Sequence, residues 1–294
     1  MIQRTSARRG LTVLELLIVI GMVAVLMALL MPAVQSARDQ ARAARCRNNL
    51  KQIGLALHNY LDVFNTFPPG WVAHSDSPDY GPAFGWMVML LPFVDQAPLY
   101  NQLDFQKPPP APNKLLQQRL DIFRCPMDPT EDVNGLRSNY STSNYSGNHG
   151  DEPLPRWTAD RLSLHWPGNP PTPKQASGIL FLNSSVRFRD ITDGASNTFA
   201  AGERSITSGS GIWVGVAANA MENDAVTECS HSSRINAGLT SFSSRHGAGA
   251  NILMCDGAVR FISADLDSRP ADGGDPGTFQ RLGHKSDGLA IGEF

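Results

Sequence analysis

Between Leu11 and Val34 the chain runs for 24 residues with a single ionisable side chain, Glu15. As a helix this stretch measures about 36 Å, against about 30 Å for bilayer hydrocarbon. A surface helix of a soluble domain needs a polar face, and this stretch has none. Residues 11–34 are therefore read as a membrane span. Glu15 is the anomaly within it, because a carboxylate inside a span costs roughly 2.5–3.5 kcal/mol by insertion scales. Cleavage after Gly10 would supply a reason: Leu11 would then carry a free α-ammonium four residues from Glu15.

A secretory signal peptide is the competing reading, with an arginine-rich start, an apolar centre and a small-residue site at Val34-Gln35-Ser36. The apolar run exceeds the usual 7–15 residues of such a region, and a signal peptide gains nothing from Glu15. Charge leaves the orientation open. Arg4, Arg8 and Arg9 precede the span, whereas Arg38, Arg42, Arg45, Arg47 and Lys51 follow it with Asp39 opposing. The positive-inside rule would, if anything, favour the wrong end for secretion, a conflict with an exported head. The formal net charge of −2 includes those three leader arginines, so the remaining residues carry −5. A nucleic-acid partner is not expected, since that requires a basic face on the domain itself.

Beyond Pro32, which either kinks the helix or ends the span, the pattern becomes amphipathic. Ala33, Ala37, Ala41 and Ala44 line one side, and Leu50, Ile53, Leu57, Leu61 and Phe64 continue at steps of three and four. This predicts one helix of about 50 residues, some 75 Å long, whose stalk over residues 35–66 packs on a head. Phe67-Pro68-Pro69-Gly70 ends it. His58, beside the apolar stripe, is read as structural.

Two sets of residues carry a resemblance. Arg8-Arg9-Gly10 followed by Leu11-Thr12-Val13-Leu14-Glu15 resembles the class III signal of type IV prepilins and type II secretion pseudopilins. The first mature position there is usually Phe, where this chain has Leu11. The resemblance implies that a prepilin peptidase cuts on the cytoplasmic side after Gly10 and methylates Leu11. It also implies partners: inner-membrane lipid and other pilin-like subunits. The second set begins with Cys46 to Tyr60 and Phe67-Pro68-Pro69-Gly70. It continues through Leu90-Leu91-Pro92 with Leu99-Tyr100, Phe123-Arg124-Cys125-Pro126, and Asp190 to Thr198 with Gly202-Glu203. It closes with Ser244-Arg245-His246 and, after nine residues, Asp256-Gly257. These pieces resemble the pilin-like family called domain of unknown function 1559. The implied fold class is α+β: a long N-terminal helix packed on a loop-rich, mainly antiparallel β head over residues 67–294, with residues 1–10 as leader.

On its own terms the head reads as short strands between turns, favoured by 26 glycines and 21 prolines. Lys107–Pro112 reads as a polyproline-like connector, and Lys114–Leu120 as a short helix. Strands are expected at Ile179–Leu182, Thr198–Gly202, Ile212–Val216, Ala250–Met254 and Val259–Ser263. Asp256-Gly257 between the last two signals a hairpin, so both residues are read as turn chemistry before catalysis. The four cysteines, Cys46, Cys125, Cys229 and Cys255, allow three pairings. Membership of family-like segments pairs Cys46 with Cys125 and leaves Cys229 with Cys255.

No active-site signature appears. Cys-x-x-Cys, His-Glu-x-x-His, phosphate-cradling and dinucleotide-binding glycine motifs are all missing. Asp265, Asp267, Asp272 and Asp275 could offer oxygens to calcium, but their spacing does not fit a calcium loop. No metal ligand, cofactor or catalytic residue is assigned. The expectation is a non-enzymatic pilin-like subunit, single-pass in a bacterial inner membrane, with its N-terminus cytoplasmic and its head periplasmic or at the cell surface. Two alternatives remain open. One is an anchored glycan- or solute-binding module using Trp71, Trp86, Trp157, Trp166 and Trp213. The other is a hydrolase using His246 and Asp256.

Overall fold

A computed structural model describes residues 13–72, 83–107, 109–152, 176–216, 224–270, 274–292 and 294. Gly10, Leu11, Trp157, Trp166 and Asp272 lie outside the described residues. The architecture is α+β. Helix α1 runs over Val13–Phe64 with Pro32 inside it. Contacts divide the chain into two units, residues 1–42 and 43–294. In the first, every described residue from Val13 to Arg42 is exposed. Such a surface suits lipid, whose tails remove the cost of leaving apolar side chains in water. Pro32 continues the helix and does not end it.

The second unit takes in the rest of α1. Its buried stripe is Cys46, Asn49, Leu50, Ile53, Gly54, Ala56 and Leu57. This differs from the expected stripe at both ends: Ala33, Ala37, Ala41 and Ala44 are exposed, as is Phe64. Burial follows where the head supplies a partner, which alanine spacing does not reveal. After Phe64, Asn65 takes a positive φ of 58° and donates to Leu61 O, and the proline pair then prevents helical continuation.

Among the described residues three sheets follow. Strands β1 (Trp71–Val72) and β2 (Ala83–Gly85) form the first with β8 (Gly215–Val216), in the order β1-β2-β8. Strands β3 (Val133–Asn134), β4 (Tyr140–Ser143) and β7 (Gly211–Ile212) form the second. The third has five strands: β5 (Tyr145–Gly150), β6 (Phe199–Glu203), β9 (Val226–Glu228), β10 (Gly249–Met254) and β11 (Val259–Ser263). Its order is β11-β10-β6-β5-β9, antiparallel except for the parallel β5–β9 pair. Helices α2 (Trp86–Leu90), α3 (Ala97–Tyr100) and α4 (Thr278–Gly283) are short.

The hairpin forms as its turn chemistry requires. Gly257 has φ 85° and the Asp256 carboxylate accepts from Ala258 N at 2.8 Å. Three expectations fail. The strand expected at Ile212–Val216 breaks after Ile212, its two halves β7 and β8 joining different sheets. Residues 114–117 make a turn and not a helix, because the Asn113 side chain takes up the amides of Leu115 and Leu116 and closes the segment. Ile179–Leu182 is no strand, although Leu182 makes an isolated bridge to Trp71. Its apolar side chains instead fill the core from a loop. Strands β4 and β5 escape the sequence reading because polar Ser, Thr, Asn and Gly dominate both.

Gly54 lets the five-stranded sheet reach α1. A Cβ there would lie 2.8 Å from Leu253 Cδ1 and 3.6 Å from Gly257 Cα. The Gly257 turn meets the His58 ring from the same side, with an added Cβ 3.5 Å from it. Gly54→Leu is expected to lower stability by roughly 1–3 kcal/mol through overpacking, measured by denaturant titration of the full chain in detergent. A second prediction concerns His149, buried in β5 and stacked on Trp71. Burial and the Lys285 charge lower its pKa to about 4 from the ordinary 6.5. Above the ordinary value both folded and unfolded states hold neutral imidazole. As pH falls below it, the unfolded chain takes up a proton that the folded chain refuses. Stability should therefore decline by about 3 kcal/mol between pH ~6.5 and ~4, and His149→Gln should flatten that slope.

Candidate functional site

The motif pieces scattered through the sequence converge on one place beside α1. Cys46, on the buried stripe, is bonded to Cys125, 79 residues away. Three residues on, one helical turn away and on the same face, Asn49 donates to Asp121 O at 3.1 Å and Arg124 O at 2.8 Å. The segment from Asp121 to Cys125 is thus held to the helix by one covalent and two hydrogen bonds. Tyr145 reaches from β5 and donates its hydroxyl to Cys46 O at 3.0 Å. Burial and the Glu203 charge push its pKa well above the ordinary range, so the phenol remains a donor. Asn144 completes the frame, its Oδ1 accepting from Cys125 N at 3.1 Å.

Glu203 and His246 close the opposite side of the disulfide. His246 Nε2 lies 2.9 Å from Glu203 Oε1 and 3.6 Å from Cys125 Sγ. Glu203, at the end of β6, is only 2 % exposed. Its second oxygen accepts from Asn251 N at 2.8 Å, and the Asn251 amide reaches both oxygens at 3.1 Å. Ser244 positions the histidine, accepting from His246 N at 3.0 Å while donating to Gly249 O at 2.6 Å. A small hollow lined by Cys125, Asp128, Asn144, Glu203 and Ser243 adjoins the cluster. Arg124 fixes the loop below it with its guanidinium on Thr130 O, and burial lowers that group's pKa.

His246 and Asp256 do not meet. They flank β10, whose six residues span about 20 Å. Asp256 instead caps its own turn, and its amide donates to Ala195 O at 3.0 Å. The loop Asp190–Thr198 thereby supports the hairpin. Asn197 donates to Asp193 O, and the Asp193 carboxylate takes the amides of Asp287 and Gly288 at 2.6 and 2.9 Å. Asp193, His284 and Asp287 come close together, but Asp193 and His284 are turned to backbone amides, His284 Nδ1 accepting from Ser286 N. This second cluster fastens the C-terminal segment.

The pairing of Cys229 with Cys255 is corrected: both are free and buried. Cys229 follows β9 and Cys255 follows β10, and β5 and β6 lie between those strands. Three strand spacings are about 14 Å, twice what a disulfide can bridge. Burial raises both thiol pKa values well above the ordinary range. Asp267 and Asp275 face Arg269, at 3.2 and 3.6 Å, and Asp275 also meets Arg281 at 2.5 Å. Trp71, Trp86 and Trp213 are buried core residues. Glu15 sits in the first turn of α1, where the helix dipole favours a carboxylate.

Sequence reasoning had Glu203 only as part of a motif and missed Asn144, Tyr145 and Asn251 as its companions. The usable signal was order: Cys125, Glu203 and His246 each lie in a separate family-like piece. The family described as "Protein of unknown function (DUF1559)" matches residues 35–269. The chain belongs to that family. Neither a curated protein nor a solved structure matches it. Removing the disulfide with Cys46→Ser and Cys125→Ser together should cost about 4 kcal/mol for a loop of this length. Denaturant midpoints of oxidised parent and double variant provide the measurement.

Proposed function

We propose that this is a non-enzymatic, pilin-like membrane protein. In this reading a prepilin peptidase cuts after Gly10, Leu11 becomes the methylated N-terminus, and residues 11–34 hold the chain in the inner membrane. The N-terminus faces the cytoplasm and the head lies outside it. Assembly into a type IV pilus or type II secretion-like filament would pack these helices together, with Glu15 meeting a neighbour's terminal amine. The observation that supports it most is the contrast along α1. Residues 13–34 present a largely apolar, exposed surface, while Cys46–Leu57 is tied into the head by a disulfide, hydrogen bonds and packing. A helix built this way suits a device that must transmit its position in a membrane or filament to a folded head.

A non-enzymatic reading is further supported by how the motif residues are used. His246 is engaged by Glu203 and Cys125, and Asp256 by its own turn. The binding-module alternative loses three of its five tryptophans to the core. N-terminal sequencing of membrane-derived protein tests the proposal: it should begin at methylated Leu11, and a start at Met1 or near Ser36 overturns it. Glu15→Ala should be cleaved normally yet lose crosslinks to neighbouring subunits. Crosslinking undiminished by that substitution would remove the filament role.

A further inference from the structure

The cluster beside α1 has a donor set that its disulfide only half uses. One sulfur from α1, one from the Phe123–Pro126 segment, a carboxylate from β6 and an imidazole from the segment before β10 approach from four directions. Each of the four residues has a ligand atom within 4.8 Å of the others'. Cys46 and Glu203 are fully and almost fully buried, and His246 exposes little of its side chain. Among the described residues His246 is the one ion-pair partner of the Glu203 carboxylate. A buried carboxylate with so slight a charge partner is costly, and a bound dication would compensate it.

We propose that, when the Cys46–Cys125 bond is reduced, Cys46 Sγ, Cys125 Sγ, His246 Nε2 and Glu203 Oε1 bind one zinc-class divalent cation. The same cluster then fastens α1 to the head by a metal where it is not fastened covalently. The inference stands independently of filament formation.

The donor chemistry selects the ion. Two thiolates and an imidazole suit zinc and exclude calcium and magnesium, which take oxygen shells. Tetrahedral zinc places its donors about 3.4–3.8 Å apart. The His246–Cys125 separation of 3.6 Å already fits, and His246 to Glu203 opens slightly from 2.9 Å. The two sulfurs must part from bonding distance to about 3.8 Å, which side-chain torsions can supply. Outer partners are in place: Asn251 orients Glu203, Ser244 the His246 backbone, and Asn144 the Cys125 backbone.

The redox step balances with an external dithiol. Its thiolate attacks the sulfur of Cys125, the less deeply buried of the two cysteines, and Cys46 leaves as thiolate. The second thiol of the reductant then displaces Cys125, and the reductant departs as its own disulfide. Two electrons pass to the protein sulfurs. Binding of the cation then releases to solvent whatever protons those sulfurs carry.

The test uses the full chain in detergent, reduced under anaerobic conditions with a phosphine. The phosphine takes up oxygen from water as it cleaves the disulfide, and it does not compete as a dithiol would. Cobalt(II) should bind one per chain, with a thiolate-to-cobalt charge-transfer band and the intense visible bands of a tetrahedral site. Zinc should displace it. The oxidised chain should show neither band. Cys229→Ala with Cys255→Ala should leave the spectrum unchanged, whereas His246→Ala and Glu203→Gln should each weaken zinc binding by at least ~10-fold. X-ray absorption at the zinc edge of the unsubstituted chain should count two sulfur and two nitrogen or oxygen neighbours, a readout that needs no variant to fold. Octahedral cobalt without charge transfer, a different sulfur count, or affinity unchanged in a folded His246→Ala chain would overturn the proposal.

Discussion

The attachment of α1 to the head at Cys46 is the constraint on which the rest of the second unit depends. One helical turn carries a disulfide to Cys125, two side-chain hydrogen bonds from Asn49 and a hydroxyl from Tyr145 onto the Cys46 carbonyl. The partners come from two distant parts of the sequence, the Asp121–Cys125 segment and β5, so the turn acts as the point where loop, sheet and helix are brought into register. From there the apolar residues Leu50, Ile53 and Leu57 extend the contact, and Gly54 allows β10 to approach the helix backbone. The crosslink lowers the chain entropy of the unfolded state, so less entropy is lost when folding brings these two segments together.

The polar chemistry of the site follows from that packing. Glu203 and His246 are brought to the disulfide by β6 and by the segment leading into β10, neighbours in the five-stranded sheet. Burial makes each hydrogen bond there matter, since an unmatched polar group in the interior costs about 1–3 kcal/mol. Glu203 therefore has both oxygens occupied, and Asn251 supplies two donors to it. The hairpin residues Asp256 and Gly257 serve the same architecture from the far end of β10. They shape the turn that rests on His58 and on the loop before β6. The two halves of the His-x9-Asp-Gly motif thus work at opposite ends of one strand, both in fastening that strand to its surroundings.

The two units of the chain have opposite surface chemistry. Val13–Arg42 exposes leucine, valine, isoleucine and methionine along its apolar part, where the head exposes mostly polar side chains. A helix of this kind can be stable as a backbone in either lipid or a helix bundle, because its hydrogen bonds are internal. Glu15 is compatible with both settings through the N-terminal helix dipole.

The sequence by itself determined the features that local chemistry controls. A 24-residue apolar run dictates a span-length helix, Pro68-Pro69 forbids its extension, and Asp256-Gly257 supplies the positive φ of a tight turn. The pairing of Cys46 with Cys125 came through family resemblance, not through spacing. Polar β4 and β5 were illegible because their strand conformation is imposed by neighbours and not by side-chain preference. Only the tertiary structure decided that Cys229 and Cys255 stay apart, since strand order, invisible in sequence, places two strands between theirs. It alone also brought Glu203 and His246 to the disulfide. Side chains so far apart in sequence meet only when a sheet and a helix fix their backbones, and no local pattern encodes that meeting.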